Sequence, residues 1–256
     1  MQNNTFSTLF VGQNLIKLSA VDSTNNYLKK LASNSEPLPE GTVIMADHQY
    51  AGRGMQGNVW LAQPGKSLTF SLLLRPTFIA ADRQFELNML VSVAINNVLS
   101  KYLKNHLSIK WPNDVYVANQ KIGGVLIENV IAGSQLKQSI IGIGLNVNQG
   151  EFEEELAGKP VSLSQILHQN VNLMVLLNEI CVQIEQLYLK LKLGKSTNLR
   201  ELYVNNLYRL HKVATYQQNG ELFEGIIEGI SETGLLRIKP LHGETLEFGF
   251  KEVAFI

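Results

Sequence analysis

Arg53 sits in a stretch that reads Tyr50-Ala-Gly-Arg-Gly-Met-Gln-Gly-Asn-Val-Trp60. Glycines at 52, 54 and 57 would weaken a helix or a central strand. Bare glycine backbone lets an anion approach closely, and an arginine adds a fixed charge with a fork of donors. Such a loop suits a phosphate, or a carboxylate about to react with one. It lacks the Gly-Lys-Ser/Thr ending of a P-loop, and no helical pattern follows it as a dinucleotide fingerprint requires. Taken alone, the stretch also fits a surface loop with a stray arginine.

Other polar clusters share this character. Asp22-Ser23-Thr24-Asn25 can cap a helix, but capping explains only one of these residues. Four short polar side chains at a helix start also make a hydrogen-bonding cup for a compact polar ligand. Gln49 is polar where a strand ends, a usual place for ligand contacts. In Lys110-Trp111-Pro112-Asn113-Asp114, proline breaks any ladder, so Asn113 and Asp114 are expected at a kink with exposed side chains. Lys110 and Asp114 either form a local ion pair or touch a ligand. Lys121-Ile-Gly123-Gly124 opens a strand. Glycines 142 and 144, just before Asn146, imply that something passes close to that strand.

The elements that must position these residues follow from periodicity. Leu15–Leu18, residues 42–47 and Ser67–Arg75 read as strands. Helices are expected over 23–33, Gln84–Leu103 and Val171–Leu193, with a shorter one within Ser196–Arg209. Lys121–Ile131 and Leu136–Val147 read as a hairpin turning at Ala132–Gln135. Met89 reads as packing on its helix, and Glu151–Glu155 as a solvated acidic run. From His211 onward, short alternating runs split by glycines suggest a small module of about five strands. The expected division is 1–206 and 207–256.

Composition narrows the class. The chain has 256 residues, 45% of them hydrophobic, with 22 basic and 22 acidic side chains. Zero net charge argues against a surface built for nucleic acid or anionic membrane. One cysteine, Cys181, excludes an internal disulfide and fits a reducing compartment, where it reads as a small core residue. No signal peptide and no apolar run of about 18 residues is visible, so the expected address is the cytoplasm.

Gly52-Arg53-Gly54, then Lys110-Trp-Pro-Asn-Asp114, then Lys121-Ile-Gly-Gly124, in this order, resemble the biotin protein ligase family. The resemblance is dense over roughly residues 20–150 and loose beyond. It implies an α+β fold: a mixed sheet packed with helices, like class II aminoacyl-tRNA synthetases, plus a small SH3-like β-barrel. It implies biotin and Mg-ATP giving biotinoyl-5'-AMP, then transfer to a lysine of a biotin carboxyl carrier protein. Ser23, Thr24, Asn25, Gln49, Gly52, Arg53, Gly54, Lys121, Gly123 and Gly124 would then face biotin. Arg53, Met55, Gln56, Gly57, Trp60, Asn113, Lys121 and Asn146 would face ATP. Arg53 and Lys121 would be the catalytic cations, Mg²⁺ would be carried by ATP, and Trp111 would pack.

This chain departs from the family at Met55, Gln56 and Asn58, where many members carry further arginines. Fewer cations beside a triphosphate should weaken the hold on ATP or on the adenylate. Too few residues precede Ser23 for the DNA-binding domain some members carry, so no repressor role is expected; a monomer and a homodimer are both allowed. A lipoate or octanoate ligase or transferase, a biotin or nucleotide sensor, and a nucleic-acid-binding module are the competing readings.

Overall fold

The computed structural model describes residues 6–34, 36–103, 107–152, 159–195 and 198–256. Its elements run β1 (Leu15–Val21), α1 (Thr24–Ala32), β2 (Val43–Gln49), β3 (Ser67–Leu74), α2 (Phe85–Tyr102), β4 (Leu107–Lys110), β5 (Asp114–Val117) and β6 (Gln120–Ala132). Then come β7 (Gln135–Asn146), α3 (Leu163–Leu167), α4 (Leu173–Lys192) and α5 (Leu199–Asn205). The C-terminal strands are β8 (Val213–Gln218), β9 (Glu221–Ile230), β10 (Leu236–Pro240), β11 (Leu246–Phe248) and β12 (Ala254–Phe255).

The fold is α+β. Seven strands form one mixed sheet in the order β1-β2-β3-β7-β6-β5-β4. Only β1 and β2 pair in parallel among these described strands. Strand β3 shows how the sequence assigns the two faces. Leu68, Phe70, Leu72 and Leu74 point into the main core with residues of α2 and α4. Leu73 points the other way, joining Leu28, Ile44 and Ile140 beneath α1. Each buried leucine contributes roughly 1.5–3 kcal/mol. Ser71 and Thr69, two and four residues before Leu73, share its face by the period of two.

The expected helices and the hairpin are present. Met89 and Cys181 are buried in the core. Helix α3 was not expected; its signal is Ser162-x-x-Gln165, which forms a capping box. Residues 153–155 of the acidic run, and the start of the segment expected to hold α5, lie outside the described residues. No helix among the described residues is long and apolar enough to cross a membrane.

The five C-terminal strands form an antiparallel sheet in the order β11-β10-β9-β8-β12. It is locked onto the large sheet. Ile109 N–H donates to Asn206 O at 2.7 Å and Tyr208 N–H to Ile109 O at 2.9 Å, which covers the β4 edge. Trp111 Nε1–H donates to Gly234 O at 2.9 Å. Gly234 has φ +93 and leaves no room for a side chain beside the Phe85 ring.

Candidate functional site

A cleft of about 420 Å³ opens on the α1 face of the large sheet. Register explains its floor. Ser71 lies opposite Gly142, which lies opposite Leu126; Thr69 lies opposite Gly144, which lies opposite Gly124. Apart from Leu126 these residues are small and leave space above the sheet, and neighbouring side chains fill part of it. A Cβ at Gly144 would come within 2.5 Å of the Trp60 ring, and one at Gly142 would clash with the Asn25 amide. The close passage inferred for these two glycines is thus made by Asn25 and Trp60.

The start of α1 forms a polar wall. Ser23, Thr24 and Asn25 are buried. Gln49 Oε1 accepts from Thr24 N–H at 2.7 Å and from Thr24 Oγ1 at 3.0 Å. Ser71 Oγ lies 2.7 Å from Thr24 Oγ1 and donates to Asn25 Oδ1 at 2.6 Å. Asn25 Nδ2 donates to Glu128 Oε2 at 3.0 Å. The same oxygen takes Arg53 Nη2 at 2.7 Å. Burial pushes the Glu128 carboxyl up, but the Asn25 hydrogen bond and the Arg53 charge outweigh it and hold it below the ordinary range.

The glycine loop folds back on itself. Gly54 N–H donates to Asn58 O at 2.7 Å and Trp60 N–H to Gly52 O at 3.0 Å. Arg53 and Val59 form an isolated antiparallel bridge, with a single 3₁₀ turn at Met55–Gly57 between them. A side chain at Gly52 would strike the Trp60 carbonyl, so this glycine serves loop closure. Gly57 turns the loop with φ +87. Arg53, Gly54, Met55 and Trp60 line the cleft. Trp60 Nε1 is buried without a hydrogen-bond partner among the described residues.

The Trp111–Pro112 peptide is cis, at the turn between β4 and β5. Asn113 is buried rather than exposed: its amide donates to Val125 O, while Val125 N–H donates to Asn113 O at 3.1 Å. Of the two readings for Lys110 and Asp114, the local ion pair does not form among the described residues. Asp114 Oδ1 is taken by Lys121 Nζ at 2.6 Å instead. A register irregularity between β5 and β6 is the cause. In a regular strand Lys121 and Gly124, three residues apart, would face opposite ways. Here both Ile122 and Gly123 turn toward the core, Gly123 against Leu145, and Lys121 returns to the cleft face beside Gly124 and Asp114.

Lys110 Nζ stands 5.1 Å from the Tyr116 ring centroid and 5.0 Å from that of Phe255. Burial depresses its pKa below the usual lysine value, as do the nearby cations Lys121 and Arg209, against the pull of Asp114. Asn146 is buried at the end of β7, with its amide 3.5 Å from Lys121 O.

Ser23, Thr24, Asn25, Gln49, Arg53, Gly54, Met55, Trp60, Asn113, Lys121 and Gly124 therefore line one cleft. Gly52, Gly123 and Asn146 hold the neighbours of that lining. Three contributors were missed: Ser71, Glu128, and the segment at Phe250–Phe255, which also walls the cleft. Ser71 interrupts an apolar strand, and that was the one available signal.

Residues 18–146 match the Biotin/lipoate A/B protein ligase family. The Bifunctional ligase/repressor BirA of Bacillus spizizenii is 31% identical over 92% of this chain and 72% of its own length. The Biotin–[acetyl-CoA-carboxylase] ligase of Paracoccus denitrificans is 27% identical over 87% of this chain and 92% of its own. The structure of the biotin protein ligase from Aquifex aeolicus in complex with biotin and ATP superposes with a TM-score of 0.78 at 29% identity, covering 94% of this chain and 98% of that one. With its sequence and its overall fold in agreement, the chain belongs to the biotin/lipoate A/B protein ligase family.

Proposed function

We propose that this chain is an ATP-dependent ligase that activates biotin as biotinoyl-5'-AMP and transfers it to a lysine of a biotin carboxyl carrier protein. One observation carries the reading: Arg53 and Lys121, 68 positions apart, line the same cleft as the neutral cup of Ser23, Thr24, Asn25 and Gln49. Neutral donors and acceptors suit the ureido ring of biotin, while two cations suit a carboxylate meeting a phosphate.

In the first step a biotin carboxylate oxygen attacks the α-phosphorus. The bond to the bridging oxygen breaks, and diphosphate leaves with the electron pair. Two anions must meet, so cations fixed beforehand lower the barrier. Glu128 and Asp114 fix Arg53 and Lys121 through single contacts, and each cation keeps further donors for substrate. In the second step the acceptor amine attacks the acyl carbon, AMP departs, and the amine loses a proton. Neither step needs a covalent enzyme intermediate.

The unpartnered Trp60 Nε1 and its ring suit the nucleotide, with Met55 lining the same cleft, Gln56 and Gly57 following it in the loop's 3₁₀ turn, and Asn113 and Asn146 holding the adjoining strands. Gly54 and Gly124 keep backbone open to biotin in the cleft, while Gly52 closes the loop and Gly123 packs against Leu145 behind it. Mg²⁺ is carried by ATP. Residues 1–206 act as the catalytic domain and 207–256 as an SH3-like module. The protein acts in the cytoplasm, as monomer or homodimer.

The test is diphosphate release with Mg-ATP and biotin, lipoate or octanoate. Release with biotin alone is expected. Release with lipoate or octanoate alone would keep the fold and overturn the substrate. Stabilisation by biotin without release would make the chain a sensor.

A further inference from the structure

We propose that Lys110 is a second phosphate-binding cation, which takes the diphosphate leaving group, and that β12 holds it in place through Phe255. The proposal rests on the ligase reading above and adds to it a residue and a role.

Lys110 lines the cleft, yet no carboxylate lies within ion-pair distance of its Nζ among the described residues. Asp114, its register partner across the β4–β5 turn, is engaged by Lys121. Its neighbours are two aromatic faces, at 5.1 and 5.0 Å, and Tyr116 Oη at 3.4 Å. Rings attract a cation but accept none of its N–H donors in the way an anion does. The site thus holds a half-buried ammonium with donors to spare. Lys110 is also near enough to Lys121 for the two charges to repel. A site that gathers like charges in its empty state is built for a multivalent anion.

Diphosphate is the anion this chemistry generates. When the α-phosphorus bond breaks, the departing oxygen carries the electron pair, and a nearby ammonium neutralises it without giving up a proton. Phe255 is the penultimate residue of the chain and reaches the cleft only because β12 pairs with β8. The C-terminal sheet therefore sets where this cation stands, which makes Phe255 a positioning residue.

The experiment is biotin-dependent exchange of labelled diphosphate into ATP, on the full chain. Lys110→Met is expected to raise the half-saturating diphosphate and the KM for ATP on the order of tenfold to a hundredfold, the usual loss for a charge-assisted hydrogen bond. Lys110→Arg should restore most of it, and Phe255→Leu should show a smaller rise. Biotin binding without nucleotide, measured by calorimetry, should stay unchanged, and Tm should not fall, because burial disfavours the charge that is removed. Unchanged half-saturation in Lys110→Met would overturn the proposal. A parallel loss of biotin binding and Tm would mark a purely structural lysine and overturn it too. Lys110→Gln carries the same comparison should Lys110→Met not accumulate. Absence of exchange in the wild type with any acid would instead sink the ligase reading itself.

Discussion

The Trp60 ring occupies the space where a side chain at Gly144 would stand, within 2.5 Å of the Cβ position. Trp60 leaves the glycine loop and Gly144 belongs to β7, so this contact fixes the loop over the sheet. Gly144→Ala forces a rigid indole aside, an overpacking that costs about 1–3 kcal/mol. The expected result is a lower Tm and a KM for ATP raised more than that for biotin. Equal effects on both substrates would show that Trp60 does not serve the nucleotide.

Ser71 supplies a buried hydroxyl to Asn25. Ser71→Ala leaves Asn25 Oδ1 short of its partner, at a cost of about 1–3 kcal/mol. Calorimetry should find weaker biotin binding with ATP affinity little changed. An unchanged biotin affinity would remove Asn25 from the biotin wall.

Glu128 is held below the ordinary carboxyl value of 4.5, with burial opposing and the Asn25 and Arg53 contacts prevailing. The unfolded chain therefore takes up a proton at this group first as pH falls. Its stabilising contribution is complete above the unfolded value and is lost as pH drops through the folded one. Thermal scans from neutral pH downward should show Glu128→Gln losing stability less steeply than wild type below about pH 4.5. Parallel curves would mean the carboxylate contributes nothing.

Met55 stands in the cleft lining, at a loop position where the family resemblance implies arginine. Met55→Arg returns a cation to the adenylate's surroundings, and each gain of about 1.4 kcal/mol slows release tenfold. Filter assays without acceptor should find biotinoyl-AMP retained longer by the variant. Equal lifetimes would show that the loop's charge does not govern retention.

Cys181 is buried, and burial pushes its thiol up to about 12. Iodoacetamide should leave the native enzyme unlabelled and fully active, and should modify it only after unfolding. Inactivation at neutral pH would contradict the packing described here.

The glycines, the helix start and the long amphipathic helices were legible because each shows itself locally, by a missing Cβ or a repeated spacing. Glu128 was not. In an alternating strand a glutamate reads as the solvent face, and only the approach of Asn25 and Arg53 from other elements turns that face into a polar wall. Lys121 was picked for the right cleft, yet its ion pair with Asp114 was not foreseen, because the irregularity that re-aims it leaves no mark beyond Gly123-Gly124. Phe250–Phe255 reaches the cleft through β12 pairing with β8, a long-range contact that no local pattern encodes.

The row Gln49, Thr24, Ser71, Asn25, Glu128 has a direction. An ionised carboxylate only accepts, so Asn25 must turn its NH₂ toward Glu128 and its oxygen toward Ser71. Ser71 has one hydroxyl hydrogen, and that oxygen claims it. Thr24 presents its N–H to Gln49 Oε1, which turns the Gln49 NH₂ the other way. Which amide edge a ligand meets at Asn25 is thus decided by the charge state of Glu128, and Gln49 is set independently by the helix backbone. Both amides are thus oriented before any substrate arrives, Asn25 by a carboxylate and Gln49 by the helix backbone.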